Sequence, residues 1–306
     1  MRRVPVTLLV ALFGLACAHP ARAPGTLPSP LARLASTGRS FDFSTVAVPG
    51  AKRTVASGIS DGGQIVGLYD DSAGTHGFLL RDGTFETVDF PGAAFTVALG
   101  VGAHGEVVGA YRMPGEPAVN YHGFLRTGDG RFERVGSPPH TNTIAQRILP
   151  DGTILGCRHD DDFGASMRGA VLSARNHSET QAFGSMHNGA TPDLRRVVGL
   201  YNYAPADSSA GYVIDDGTFR PLVVPGSSAT SAWDVNPAGE VVGTYRDSAG
   251  VHKFVLTADG FVPLDAPKAT TTRALGVNAS GAVVGSFTAG GRTYGFVATP
   301  ARARRR

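Results

Sequence analysis

A short apolar stretch built around a glycine returns six times at near-constant spacing, and each interval holds four strand-like runs joined by turns. A strand missing after the last interval is present before the first. Together these observations predict an all-β fold: a six-bladed β-propeller closed by the N-terminal strand pairing into the last blade. Composition agrees, since 41 glycines, 20 prolines and 17% charged residues in a 306-residue chain describe a turn-rich folded protein and not a disordered one.

Taken from the N-terminus, residues 1–18 read as an export signal, in which Met1-Arg2-Arg3 precedes an apolar run from Val4 to Ala16 that is too short to span a membrane. Ala16-Cys17-Ala18 and Ala21-Arg22-Ala23 both fit a small-x-small cleavage pattern, which places the cut near 16–23. Cys17 after a small residue also resembles a lipoprotein acylation site, although Gly14 and Leu15 depart from the usual box, so ordinary cleavage and lipidation at Cys17 both stand. Residues 19–40 form a Pro-, Ala- and Ser-rich linker, 41–300 the propeller, and 301–306 a basic, disordered tail. The protein is thus expected outside the cytoplasm: extracellular, periplasmic or anchored to the outer membrane. It is expected as a monomer without a transmembrane span. The formal charge is +3, and Arg304-Arg305-Arg306 alone carry three positive charges, so no basic face calls for nucleic acid. Cys17 and Cys157 cannot make a disulfide framework, and Cys157, in a predicted strand, reads as a buried inert thiol.

The repeated stretch is Asp61-Gly62-Gly63-Gln64-Ile65-Val66-Gly67-Leu68-Tyr69. Its key glycine recurs at Gly67, Gly109, Gly156, Gly199, Gly243 and Gly285, at intervals of 42, 47, 43, 44 and 42 residues. In five copies a Thr stands thirteen residues earlier (Thr54, Thr96, Thr143, Thr230, Thr272), with an Ala two residues after it. The fourth copy has Met186 and Asn188 at those places and reads as degenerate but in register. The four runs of the first copy, here termed strands a to d, are Thr54 to Ile59, Gln64 to Asp70, Thr75 to Arg81 and Thr84 to Asp89.

Strand a is rich in Ala and Gly, as an inner strand must be where blades converge. Strands a and b are joined by Ser60-Asp61-Gly62-Gly63, Asn236-Pro237-Ala238-Gly239 or Asn278-Ala279-Ser280-Gly281, in which Asn or Asp can bond the turn backbone, Pro presets φ and the last Gly can take a left-handed conformation. Strand b is apolar on both faces, which fits a sheet sandwiched between two others. The aromatic two residues past the key glycine (Tyr69, Tyr111, Tyr201, Tyr245, Phe287) is expected to pack between blades. Strand d carries an aromatic with Pro six residues on, as in Phe85 and Pro91, but the sixth copy ends at Phe296-Val297 without one. Phe43 and Pro49 supply that spacing ahead of the first copy, so the N-terminal segment is expected to complete the last blade and cover its edge.

Strand c carries His76-Gly77-Phe78-Leu79, His122-Gly123-Phe124-Leu125 and, more loosely, His252-Lys253-Phe254-Val255 and Tyr294-Gly295-Phe296-Val297. With Gly276-Val277-Asn278 and Gly281-Ala282-Val283-Val284-Gly285, this resembles the HAF-repeat proteins, a group of extracellular bacterial repeat proteins. Arg168-Gly169-Ala170 and Ala210-Gly211-Tyr212 depart from the pattern in copies three and four. The resemblance implies export and repeat architecture, and it brings no established activity, catalytic residue or cofactor.

His76, His122 and His252 occupy one repeat position that Arg168, Ala210 and Tyr294 also fill, so a bond within each blade explains them better than a shared metal. Asp89 and Asp265 are equivalent strand ends, and Asp61 and Asp151 are turn residues. No cofactor, metal site or catalytic residue is therefore expected. What breaks the repeat is the b–c loop, which is longer in copies two to four, at Arg112 to Tyr121, Arg158 to Met167 and Asn202 to Ala210. Insertions on neighbouring repeats mark a binding side, and this one offers Arg112, Glu116, Tyr121, Arg158, His159, Asp161 and Tyr203, with Asp160, Asp162 and Asp207 beside them. His159-Asp160-Asp161-Asp162 is acidic enough for a hard cation but lacks the spacing of a calcium loop, and reads as solvated. The first reading is an exported, non-catalytic binding module for an unknown protein or polysaccharide. The alternative is an extracytoplasmic glycan hydrolase or lyase using acids on the same rim.

Overall fold

The computed structural model describes residues 39–136, 142–160, 166–173, 176–179, 184–203 and 208–301. The residues read as an export signal, with Cys17, those read as a linker up to residue 38 and those read as a tail beyond 301 lie outside them, as do Asp161, Asp162 and Asp207.

Every element among the described residues is a strand. β1 (Phe41–Val46) comes first. The first copy contributes β2 (Arg53–Ile59), β3 (Ile65–Asp70), β4 (Thr75–Arg81) and β5 (Thr84–Val88), within one residue of the bounds the sequence predicts. The second contributes β6 (Phe95–Val101), β7 (Val107–Arg112), β8 (His122–Arg126) and β9 (Phe132–Val135). The third has β10 (Asn142–Ile148), β11 (Ile154–His159), β12 (Arg168–Ser173) and β13 (Asn176–Glu179). The fourth has β14 (Ser185–Ala190), β15 (Arg196–Tyr203), β16 (Ser208–Asp215) and β17 (Thr218–Leu222). The fifth has β18 (Ala229–Val235), β19 (Val241–Asp247), β20 (Gly250–Thr257) and β21 (Gly260–Pro263). β22 (Thr271–Val277), β23 (Val283–Ala289) and β24 (Arg292–Pro300) complete the chain.

Within each copy the strands pair antiparallel in sequence order, as in β2–β3–β4–β5. β1 pairs antiparallel with β24 from Phe41 opposite Pro300 to Val46 opposite Gly295, and so takes the d position beside β22, β23 and β24. Single parallel bridges, Arg53 to Thr293 and Thr75 to Phe95, join neighbouring groups. The first strands follow one another in contact, β2 on β6, then β10, β14, β18 and β22, and β22 returns to β2.

The key glycine is explained by crowding. A Cβ on Gly67 would collide with the carbonyl oxygen of Val55 and lie 2.8 Å from the Phe78 ring, and one on Gly285 would collide with Arg273 O and lie 2.9 Å from Phe296. The apolar layers lie between adjacent copies: Val66 and Leu79 of the first pack with Ala98 and Val107 of the second, a burial that supplies most of the stability of such a stack.

The fourth copy is out of register with the others by one residue, which corrects the sequence alignment. Ser185 faces Tyr201 as Thr54 faces Tyr69, and His187 faces Gly199 as Ala56 faces Gly67. The cause is one extra residue in the hairpin: Thr191 N bonds Arg196 O where Ser60 N bonds Gln64 O. The left-handed glycine of the other hairpins (Gly63, φ 81°; Gly239, φ 80°; Gly281, φ 76°) is here Leu194, φ 58°.

Candidate functional site

The b–c loop of the second copy is braced from within. Arg112 donates from Nη1 to Ala118 O (3.0 Å), and its guanidinium lies 4.8 Å from the Phe95 ring centre and 5.9 Å from that of Tyr121. Glu116 accepts from Met113 N (2.7 Å) at one oxygen and meets His122 Nε2 (2.9 Å) at the other. Burial opposes its ionisation, but those two bonds and the nearby Arg112 outweigh it and hold the carboxyl below the ordinary range. The apex, Pro114 to Ala118, remains largely exposed.

The rest of the expected wall is divided. Tyr121 is 3% exposed and packs in the central cluster, and burial pushes its phenol up to about 12. Its main chain bonds the third copy through Asn142 Oδ1 (3.0 Å) and Thr143 N (2.7 Å). His159 is 0% exposed, with Nδ1 2.9 Å from Asp160 O, and Arg158 donates to Ser166 O (2.8 Å) across its own loop. Tyr203 ends β15 opposite Ser208. Arg112, Glu116 and Tyr121 are therefore brought together, while Tyr121 and His159 point inward and offer no rim surface. Among the described residues no group of three or more His, Cys, Asp or Glu could hold a metal ion.

Each strand-c histidine bonds a carboxylate of its own copy. His76 meets Asp89 (2.7 Å), His122 meets Glu116 (2.9 Å) and His252 meets Asp247 (2.9 Å). The ring of the aromatic past the key glycine lies against it: Tyr69 on His76 at 5.2 Å, Tyr245 on His252 at 4.8 Å, and Phe287 on Tyr294 at 5.5 Å in the sixth copy. Each of these aromatics also joins a layer shared with the preceding copy, as expected: Tyr69 with Val46 and Val284, Tyr111 with Val66 and stacked 3.7 Å from Phe90, Tyr201 with Leu155, Tyr245 with Val198 and Phe287 with Val242. Cys157, 0% exposed, is buried as expected.

The centre holds residues that the sequence reading missed. After a bulge in strand a, four copies place glycine (Gly58, Gly100, Gly189, Gly276), because a Cβ there would press on the next copy's strand: at Gly58 it would lie 2.5 Å from Leu99 O, and at Gly100 2.9 Å from Arg147 Cα. The other two copies have Arg147 and Asp234. Arg147 Nη1 donates to Leu99 O (2.7 Å) and Gln146 O (2.8 Å), and Nη2 to Leu275 O (2.6 Å) and Ser57 O (3.3 Å). Asp234 accepts from Val235 N (2.9 Å) and Val277 N (3.1 Å). Burial raises its carboxyl above the ordinary value, against the pull of Arg147 and the two N–H groups.

These two side chains floor a cavity of about 120 Å³ opening among the a–b hairpins, lined also by Ser60, Asp61, Asn236 and Asn278. Ligand pockets run to roughly 300–1,000 Å³, so this one is small. Around it Asn236 Nδ2 donates to Asn278 O and Asn278 Nδ2 to Ser60 O, both at 3.2 Å, linking consecutive hairpins. Leu99, Met186, Trp233 and Tyr121 pack together in one buried cluster. The signal that could have found the pair was a glycine column broken by one Arg and one Asp. The one-residue shift of the fourth copy hid it by placing Ala190 there.

No protein-family model and no curated protein matches the chain. Solved structures do resemble it. TolB from Acinetobacter baumannii matches with a TM-score of 0.52 at 14% identity over 79% of this chain, which spans 65% of that protein's length. A TolB-type protein from Agrobacterium tumefaciens gives 0.54 at 13% identity, over 82% of this chain and 91% of the other. The gluconolactonase XC5397 from Xanthomonas campestris gives 0.50 at 14%, over 85% and 90%. At such identities the likeness establishes the fold: the chain is an all-β protein of β-propeller type.

Proposed function

We propose that the chain is a six-bladed β-propeller of HAF-repeat type, closed by β1 as the outer strand of its last blade, that serves outside the cytoplasm as a non-catalytic binding module. Its partner is a protein or polysaccharide met by the b–c loops of blades two to four. The observation that carries this reading is the second blade's loop. It is long where those of the first, fifth and sixth blades are short, and it is cross-braced by Arg112, Glu116 and His122 beneath an exposed apex. A loop ordered before binding loses little entropy on contact, which is what a recognition surface needs. Among the described residues no helix is long and apolar enough to cross a membrane; lipidation at Cys17 is the anchor that this reading would use.

The test replaces residues 113–120 with the short turn of the first blade, Ser72-Ala73-Gly74. Envelope proteins and cell-wall glycans retained by the immobilised wild type should be lost from this variant at unchanged melting temperature. Equal retention by both proteins would overturn the assignment. The alternative, a glycan hydrolase or lyase, needs two acids facing one cleft. Glu116 is committed to His122 and Met113 N, and turnover of envelope glycans that Glu116→Gln abolished would favour that alternative.

A further inference from the structure

His76 differs from the other strand-c histidines in meeting two carboxylates. Its Nδ1 lies 2.7 Å from Asp89 Oδ2, at the end of strand d, and its Nε2 lies 3.4 Å from Asp71 Oδ1, in the b–c loop. The ring is held in place by stacking on Tyr69, whose hydroxyl is itself bonded to Thr87 (2.9 Å). The adjoining acid, Asp70, is engaged by Arg53 (2.6 Å) and Thr75 (2.9 Å), so Asp71 and Asp89 are the charges that face the imidazole. A neutral imidazole has one N–H and one lone pair, so it can satisfy one of these carboxylates while turning its lone pair on the other. The imidazolium carries a proton on both nitrogens, hydrogen-bonded to Asp89 through Nδ1 and at ion-pair distance from Asp71 through Nε2.

The fifth blade supplies the comparison. Asp247 forms the same turn as Asp71: Asp71 Oδ1 accepts from Ala73 N (2.6 Å) and Gly74 N (3.1 Å), and Asp247 Oδ1 from Ala249 N (2.8 Å) and Gly250 N (3.1 Å). His252 Nε2 meets Asp247 at 2.9 Å, as His76 approaches Asp71. The strand-d acid, however, is taken by a lysine that replaces Gly77 of the first blade: Lys253 Nζ bonds Asp265 at 2.8 Å. His252 thus faces one carboxylate, Asp247, as His122 faces one, Glu116.

We infer that His76 is a pH-sensitive latch for the first blade's b–c loop, closed when the ring bridges Asp71 and Asp89 as the imidazolium and loosened when it loses a proton, while the equivalent loop of the fifth blade is built without the switch. Burial disfavours the cation, but the bond and charge of Asp89, then those of Asp71, outweigh it and raise the ring above its ordinary value of 6.5. The sign follows. The latch is complete below 6.5 and is released as pH rises through the elevated native value. The first blade's b–c loop is thereby stiffer in mildly acidic surroundings, and that of the fifth blade is not.

The experiment is amide exchange on the full chain between pH 5.5 and 8.5, corrected for the intrinsic pH dependence of exchange, with imidazole carbon shifts followed in the same samples. Protection at Ala73 and Gly74 should fall several-fold as the His76 ring deprotonates, while protection at Ala249 and Gly250 stays level. His76→Gln should remove the pH dependence at Ala73 and Gly74. A His76 ring already neutral at pH 6, or equal pH profiles for the two loops in the wild type, would overturn the inference without recourse to any variant.

Discussion

Arg147 and Asp234 occupy the same repeat position two copies apart, and their side chains meet at the centre of the fold, with Nε 3.2 Å from Oδ2. The pair replaces two glycines of a column that otherwise lets neighbouring strands touch. Through its other nitrogens Arg147 binds carbonyls of the first, second, third and sixth copies, so with Asp234 one side chain ties five of the inner strands. A planar guanidinium with five donors suits this place, and an ammonium would not reach four carbonyls and a carboxylate together.

Arg147→Gly restores the residue of the other copies but leaves Asp234 buried and uncompensated. It should cost about 3–5 kcal/mol. Adding Asp234→Gly should return part of the loss, since the stranded charge is then gone, and urea titration of the two single variants and the double should show that coupling. Strictly additive losses would mean that the two side chains stabilise the centre independently.

Much of this was legible in the sequence for a physical reason. Short apolar runs and turn signals are local, so the strand bounds of the first copy and the donation of Phe41–Val46 to the last group follow from Phe43, Pro49 and the repeated turns. The rim was harder. Tyr121 and His159 are polar residues on a long loop, yet their burial depends on how the loop folds back on Phe95 and Asn142, which no local pattern encodes. The shift of the fourth copy escaped notice because Arg195 was inserted where Leu194 had replaced the marker glycine.

The repeated Thr of strand a clamps the turn that enters it. Thr96 Oγ1 accepts from Phe90 N (3.1 Å), Thr54 from Val48 N (3.1 Å), Thr230 from Val224 N and Thr272 from Ala266 N (both 3.2 Å). Thr96 is 1% exposed, so Thr96→Val keeps the shape and strands a donor, at a cost of about 1–3 kcal/mol. Thr96→Ser should cost less, and the two urea midpoints should separate accordingly.

Leu194 holds a left-handed backbone at φ 58° in a turn whose equivalents use glycine, and it is 38% exposed. An L-residue with a Cβ gives up roughly 1–2 kcal/mol in that conformation. Leu194→Gly is therefore expected to stabilise the protein by about 1 kcal/mol in spite of the added freedom of the unfolded chain. A lower melting temperature would show that the Leu194 side chain packs usefully on its surroundings.

β1 contributes six residue pairs with β24, and Phe43 packs 5.3 Å from Phe296, while Val46 and Val48 join the layer beneath Phe78. Deleting residues 41–50 should lower the melting temperature far more than trimming a tail, because it bares the edge of β24 and uncovers that layer. Added as a separate peptide, the same segment should restore part of the loss in a concentration-dependent way. An unchanged melting temperature on deletion would exclude β1 from the closure.

His187 stands in the column of small alanines and bonds the hydroxyl of Tyr212, which itself replaces the strand-c phenylalanine and donates to Met186 O (2.9 Å). Burial drives the imidazole down to about 4 from its ordinary 6.5, so the native state holds it neutral while the unfolded chain takes up a proton below 6.5. Stability from this group is present above 6.5 and is lost as pH falls toward 4, by on the order of 3 kcal/mol in all. Asp234, raised by burial, acts in the opposite sense, so the wild type alone does not isolate the effect. The difference between wild type and His187→Ala does: measured by urea at pH 7, 5.5 and 4.5, it should move steadily in favour of the variant as pH falls. A difference that held constant across that range would mean that the native state takes up the proton as readily as the unfolded chain does, and that burial does not hold the His187 ring neutral.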